Sequence, residues 1–260
     1  MGEELSKEAG VLDNMHSYFV QQASRLYRAC KLFKLETSAL GDVLEIGSFY
    51  SYTPFLLRHR SASYTLLEGD DPAFYPLEPL CRRYDIAVSY IDLFERFGPV
   101  RSASNRLPLP DESCDTILCW ETMEHFNFNP VKFVREIHRV LRPGGRVFIT
   151  VPNRASFQGL VELIFGRGEQ NRIEGYYQFE NYERNGKTGF LGFHWREYTA
   201  PELSHLFSAA GFKVEICGTF TAFQNHGPIG FPRKFLRSLS WFGTTVLPRY
   251  GTNVCLIAAP

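Results

Sequence analysis

The stretch L-E-I-G-S-F-Y-S-Y-T-P-F, Leu44 to Phe55, places an acid, a glycine and several hydroxyls directly behind an apolar run. In an alternating strand-and-helix chain, the turn after the first strand is where a nucleotide is held. A dinucleotide asks for G-x-G-x-x-G there, because the glycines make the tight turn and let backbone amides approach a pyrophosphate. Only Gly47 is present, and Glu45 stands two residues before it. A carboxylate at that position suits a cation better than a phosphate. Two histidines add proton-transfer chemistry: His125 in E-T-M-E-H-F and His194 in F-H-W-R-E-Y. An imidazole has an unperturbed pKa of about 6.5, close to working pH, and can serve as a general base. Anchoring a loop by hydrogen bonds is the other reading for both. His138, between Ile137 and Arg139 on a helical pattern, reads as structural.

The elements that must position these groups follow from the apolar pattern. Val11, Met15, Tyr18, Phe19, Gln22, Leu26, Ala29 and Phe33 recur at helical steps, so residues 3 to 36 read as an amphipathic helix or helix pair. D-V-L-E-I-G, S-Y-T-L-L-E-G, I-A-V-S-Y-I-D, D-T-I-L-C-W-E, R-V-F-I-T-V-P, F-K-V-E-I-C and N-V-C-L-I-A-A read as strands. Between them lie predicted helices at Thr53 to Arg60, Asp71 to Tyr84 (interrupted by proline) and Pro130 to Leu141, the last stopped by R-P-G-G. T-A-P-E-L-S-H-L-F-S-A-A-G opens with a capping box, Thr199 with Glu202, and closes at Gly211. This alternation implies a mainly parallel sheet covered on both faces.

The bulk composition sets limits. The 260 residues suffice for one domain with elaborations. Lysine plus arginine equals aspartate plus glutamate at 28 each, so no basic footprint is present and no nucleic-acid partner is expected. The six cysteines form no C-x-x-C pair and no Cys/His cluster at zinc spacing. No metal site is therefore read from the sequence, and free thiols in a reducing compartment are expected. M-G-E-E-L-S-K-E-A-G lacks the pattern of a secretory signal, and no run reaches the roughly 18 apolar residues of a membrane span. A cytoplasmic location is expected.

Several ordered blocks give the chain a family resemblance. V-L-E-I-G-S (43 to 48), L-L-E-G-D (66 to 70), L-P-L-P-D-E-S-C-D-T-I-L-C-W-E-T-M-E-H-F (107 to 126), V-R-E-I-H-R-V-L-R-P-G-G-R-V-F-I-T-V-P-N (134 to 153) and H-W-R-E-Y-T-A-P-E-L…A-A-G-F-K-V (194 to 214) fall in sequence. Together they resemble class I S-adenosylmethionine-dependent methyltransferases, within them the group typified by ubiquinone and menaquinone C-methyltransferases. The resemblance implies an α/β fold, a seven-stranded doubly wound Rossmann-like sheet, mainly parallel with the last strand antiparallel. It also implies S-adenosylmethionine as cofactor, S-adenosylhomocysteine as product, and a transferase.

Carried over residue by residue, it implies cofactor contacts from Glu45, Gly47, Ser48 and Ser51 in the first loop. Glu68 and Gly69 would follow at the end of the second strand, with Glu68 accepting both ribose hydroxyls, although that position also suits a dinucleotide's ribose. Asp92 would face the adenine amino group, with Ser104 or Asn105 as alternatives, and Trp120 and Glu121 would border the cofactor. Phe49 and Ser51 stand where the family has its second and third glycines, so a displaced loop is expected, the alternatives being a cofactor held differently or not held at all.

The whole chain reads as a single methyltransferase domain: a helical region (1–39), a cofactor-binding half (40–153), an insertion (154–198) and a C-terminal half (199–260) with its own insertion (219–250). The first insertion is dense in aromatics, among them Phe157, Tyr176, Tyr177, Phe179, Tyr182 and Trp195, beside Gln170, Asn171, Arg172, Asn181 and Arg184. That mixture suits a sugar ring or a phenol, so the expected acceptor is a hydroxylated small molecule or glycan, methylated on oxygen with His125 or His194 as base. A lid or a subunit interface is the other reading of the insertion. F-P-R-K-F-L-R-S-L-S-W-F-G, a basic aromatic helix around Phe231 to Phe242, could rest on an anionic membrane surface or cover the substrate mouth. C- or N-methylation, a nicotinamide-dependent reductase and a non-catalytic relative of the fold are the competing classes.

Overall fold

Seven apolar runs pair into one sheet in the computed structural model, which describes residues 2–48, 51–72, 74–98, 106–166, 176, 193–222, 238, 241 and 244–260. In chain order the elements are α1 (Gly2–Phe33), β1 (Gly41–Ile46), α2 (Thr53–Leu57), β2 (Ser61–Gly69), α3 (Leu77–Arg83), β3 (Ala87–Ile91), α4 (Leu93–Phe97) and β4 (Cys114–Trp120). They continue with α5 (Pro130–Val140), β5 (Leu141–Pro152), α6 (Phe157–Ile164), α7 (Ala200–Ala209), β6 (Lys213–Phe220) and β7 (Asn253–Ala259). The strand order is β3-β2-β1-β4-β5-β7-β6. β7 runs antiparallel to both neighbours, while β1 to β5 pair in parallel. The expected doubly wound sheet with an antiparallel last strand is what the chain forms.

The central strands are buried on both faces, as near-continuous apolar runs require. Along β1, Leu44 and Ile46 join a core with Ile117, Cys119, Phe133, Ile137 and Phe207, beneath α5 and α7. Val43, on the opposite face, packs with Leu66, Leu118 and Trp120 against Leu26, Ala29 and Phe33 of α1. Glu45 shares the face of Val43 because strand side chains alternate with a period of two. A carboxylate is thereby fixed inside the second core. No described helix is long and apolar enough to cross a membrane.

Three expectations are adjusted. The helix predicted from Asp71 is confined to Leu77–Arg83, because Pro76 takes its N-cap position and turns precede it. The helix predicted to Leu141 ends at Val140, where Leu141 is extended (φ −70°, ψ 136°) and pairs with Cys114. R-P-G-G is thus the start of β5 rather than a separate stop. There a Cβ on Gly145 would lie 2.9 Å from the Asp115 carbonyl oxygen, a separation only glycine tolerates. Short helices α4 and α6 also occur where none was expected. The capping box is present: Thr199 Oγ1 accepts from Glu202 N, and the Glu202 carboxylate accepts from Thr199 N. Of the basic aromatic segment, only Ser238 and Trp241 are among the described residues.

Candidate active site

The carboxyl ends of β1, β2, β3 and β4 form one edge, and the sequence-predicted acids stand along it. Gly47 turns the chain at φ +66°, where a Cβ would meet Thr122 Oγ1 at 2.6 Å. Its N–H donates to Leu67 O at 2.9 Å. Thr122 Oγ1 in turn lies 2.9 Å from Trp120 O and 3.3 Å from both Ile46 O and Gly47 O. The β1 and β4 ends are therefore locked together, and an alanine at Gly47 would have to displace Thr122.

Ser48 and Glu68 are both buried and joined, Ser48 Oγ donating to Glu68 Oε1 at 2.9 Å. Beside Glu68, a Cβ on Gly69 would touch the Phe74 ring at 3.4 Å. Asp92 has one oxygen engaged at home, Oδ1 accepting from Phe94 N at 2.8 Å at the start of α4. Phe49 lies outside the described residues, as do Ser104 and Asn105.

Glu45 is turned inward. Thr53 Oγ1 donates to one of its oxygens and Tyr64 Oη to the other. Ser51, 2.8 Å from Thr53 Oγ1, extends this chain of hydroxyls. The buried Trp120 indole N–H is close enough to favour the ionised carboxylate but does not meet hydrogen-bond geometry. Burial outweighs all three donors and pushes the Glu45 carboxyl up to about 7 from 4.5.

The sign of the pH effect follows. Between about pH 4.5 and 7 the unfolded chain releases this proton while the folded chain retains it, so rising pH favours unfolding. The contribution of Glu45 to stability should fall by roughly 3 kcal/mol across that window. Glu45→Gln is expected to flatten this part of the profile, read from urea unfolding midpoints at pH 5, 6, 7 and 8. An unchanged slope would mean that Glu45 is ionised throughout.

Trp120 and Glu121 occupy the end of β4. The Trp120 ring stacks on Phe33 of α1, centroids 5.7 Å apart, and is 3% exposed. Glu121 adopts φ +45°, uncommon for a residue with a Cβ. Its Oε2 is 2.6 Å from Arg25 Nη1 of α1, and Asn253 Nδ2 donates to the same carboxylate at 3.1 and 3.2 Å. Its described contacts are thus an ion pair and an amide that tie α1 and β7 to the site.

The two histidines, 69 residues apart, meet. A 3-10 turn, Met123–His125, carries His125, and residues 193–196 are clasped to it. Trp195 N donates to Glu124 O at 2.7 Å, and His125 Nδ1 donates to Phe193 O at 2.8 Å. The His125 and His194 rings are 5.0 Å apart at 82°. His194 Nδ1 is 3.0 Å from Glu197 Oε1. A carbonyl and a carboxylate can only accept, so Nδ1 of each ring carries a proton and Nε2 is the nitrogen whose protonation can change. Burial, and then the neighbouring His194, lower His125 to about 4. His125 is neutral at pH 7, and His194 is the member held by a carboxylate.

Glu124, not singled out in the sequence, completes the group. It is 1% exposed, and its Oε2 has no hydrogen-bond partner among the described residues. Burial, reinforced by the Glu121 charge, raises its pKa well above the usual carboxylate range. The cysteines supply no nucleophile: burial pushes Cys30 and Cys81 up to about 12.

A single antiparallel strand inserted as β5-β7-β6 and acids at the tips of β1 to β3 point to a class of protein. The chain belongs to the class I S-adenosylmethionine-dependent methyltransferases. A family model described as a methyltransferase domain matches residues 80–149. A "probable S-adenosylmethionine-dependent methyltransferase" of Mycolicibacterium smegmatis is 36% identical over 174 residues, covering 67% of this chain and 52% of the relative. One from Mycobacterium tuberculosis, of the same description, is 35% identical over 146 residues, 55% of this chain and 42% of the relative. The chain spans about half the length of the curated relatives it matches. A Thermotoga maritima structure described as a "SAM-dependent methyltransferase, possible histamine N-methyltransferase" shares the fold with a TM-score of 0.55 at 16% identity, covering 95% of each chain. A methyltransferase from Mesorhizobium loti does so at 0.56 and 13% identity, covering 90% of this chain and 97% of its own.

Proposed function

We propose that the protein transfers the methyl group of S-adenosylmethionine to a hydroxyl of a small molecule, sugar or glycan. The meeting of His125 with His194 beyond β4 is the observation that carries this reading. The residues along the edge suit the cofactor. Segments 47–53 and 70–76, after β1 and β2, contain no lysine or arginine but include Asp70 and Asp71, so a pyrophosphate would find no cation there. A neutral nucleoside bearing a positive sulfonium suits them. Glu68 would accept from the ribose hydroxyls, braced by Ser48. Gly47 lets the chain pass close to the methionyl part, with Glu45 set behind the loop through Thr53 and Asp92 at the adenine end.

When bound, the cofactor supplies a methyl on a sulfonium: the C–S bond breaks with its electron pair left on sulfur while the acceptor oxygen forms the C–O bond. The protein's own task is to align that oxygen within about 3 to 3.5 Å of the methyl, exclude water and accept the hydroxyl proton. For proton transfer by imidazole alone, His194 is the suited member, because Glu197 fixes its tautomer and stabilises the imidazolium formed. The described aromatics Phe193, Trp195 and Tyr176 stand beside the pair, with the Tyr176 and Phe193 rings 4.9 Å apart, and would receive a ring-shaped acceptor. Six free thiols fit the reducing cytoplasm expected from the composition.

The test is incubation with methyl-labelled cofactor and a panel of phenols, sugars and glycans. Label on oxygen is the expected product, and transfer only to nitrogen or carbon would overturn the reading.

A further inference from the structure

Glu124, His125 and His194 each present one ligand atom, a carboxylate oxygen or a ring nitrogen, and the three atoms lie within 4.8 Å of one another. We infer that this group is a binding site for one divalent transition cation, with coordination positions left open for the acceptor hydroxyl. The inference rests on the hydroxyl-acceptor reading above and changes what the two histidines do in it.

Four observations converge. Two imidazoles and one carboxylate form a donor set that suits zinc, iron(II), cobalt or manganese rather than an alkali ion. Each imidazole is held as metal-binding histidines are: Nδ1 donates outward, from His125 to the Phe193 carbonyl and from His194 to the Glu197 carboxylate, which makes Nε2 the ligand nitrogen of each ring. Glu124 is buried, unlike the exposed acids that cluster by chance, and its Oε2 has no hydrogen-bond partner among the described residues. A buried carboxylate oxygen without a donor is costly and calls for a proton or a cation. Finally, Glu124 Oε1 already lies 4.0 Å from His125 Nε2, so two of the three donors face each other.

The closure needed is small. A cation about 2.0 to 2.2 Å from each ligand holds them roughly 3 to 3.5 Å apart, so ligand atoms up to 4.8 Å apart need close by at most about 1.3 to 1.8 Å. With the cation in place the histidine lone pairs are engaged. The acceptor hydroxyl, bound at an open position, then loses its proton to solvent water near neutral pH because the cation stabilises the alkoxide. The histidines act as ligands in that state and no imidazole needs to serve as base.

The experiment is a titration of chelator-treated protein with Co2+, following the visible ligand-field bands, alongside calorimetry with S-adenosylhomocysteine on the same samples. One equivalent of Co2+ should bind, and Glu124→Gln, His125→Ala and His194→Ala should each weaken it at least about tenfold, with cofactor-product affinity changed less than about twofold. His138→Ala, on α5, should leave the spectrum unchanged. Glu124→Gln preserves shape, so its loss of cobalt binding cannot be assigned to misfolding when S-adenosylhomocysteine still binds. Wild-type protein that binds S-adenosylhomocysteine but no stoichiometric Co2+ would overturn the cation site and leave the methyltransferase reading standing. Cobalt binding that survives His125→Ala with His194→Ala would overturn it equally. Cobalt binding with the three variant losses, but without S-adenosylhomocysteine binding, would retain the site and remove the methyltransferase reading.

Discussion

Glu121→Ala should lower the unfolding free energy by about 3 to 5 kcal/mol, the usual cost of stranding one member of a buried ion pair. Its partner Arg25 is 8% exposed at the side chain, and the Arg25 Nε has no other described hydrogen-bond partner. With Glu121 removed, a guanidinium would remain inside the second core and Asn253 would lose its acceptor. Such a loss approaches half of the stability of an average domain. The exposed pair Arg146–Glu215, side chains 53% and 32% accessible, supplies the comparison: Arg146→Ala should cost less than about 1 kcal/mol. Urea unfolding of the three proteins at pH 7 measures both. A Glu121→Ala cost as small as that of Arg146→Ala would mean that α1 is not anchored through Arg25. Replacing Arg25 and Glu121 together by apolar residues of similar volume should recover most of the loss, because the penalty lies in the unpaired charge.

The second large effect concerns turnover. His194→Ala should reduce methyl transfer at least about a hundredfold, whether the imidazole takes the proton or holds the cation that releases it. Cofactor-product affinity should stay within about twofold, because His194 stands beyond β4 while the acids proposed to face the nucleoside stand at the ends of β2 and β3. Steady-state rates with labelled cofactor, together with calorimetry, separate the two quantities. Unchanged rates in both His125→Ala and His194→Ala would remove the pair from the chemistry.

The strands were legible because a doubly covered parallel sheet demands continuous apolar runs, and five of the seven runs ended in glycine, acid or proline. Boundaries were less so. R-P-G-G carries the composition of a helix stop, yet pairing of Leu141 with Cys114 draws it into β5, a tertiary effect that local pattern cannot display. On α1 the buried residues Gln22, Leu26, Ala29 and Phe33 followed helical spacing, but Arg25 belongs to the same face and was passed over as a charge. Its position three residues after Gln22 and four before Ala29 was the available signal.

Each histidine could be nominated from its neighbours, but their meeting depends on residues 193–196 folding back onto the turn after β4. That contact is made by backbone N–H groups of Trp195 and Arg196 on the Glu124 carbonyl, which no side-chain motif records. Glu124 itself stood in E-T-M-E-H beside a chosen histidine. Its burial, not its identity, marks it, and burial at a loop depends on what the rest of the chain lays over it. The inward turn of Glu45 has a similar origin: Tyr64 on the adjacent strand supplies the hydroxyl that holds it.

Calorimetric titration with S-adenosylhomocysteine, run beside NADH, bears most directly on the reading as a methyltransferase. One saturable site for S-adenosylhomocysteine is expected, weakened at least about tenfold by Glu68→Ala through loss of the charged acceptor for the ribose hydroxyls, with no heat from NADH. No binding of S-adenosylhomocysteine, or binding of NADH in its place, would contradict it.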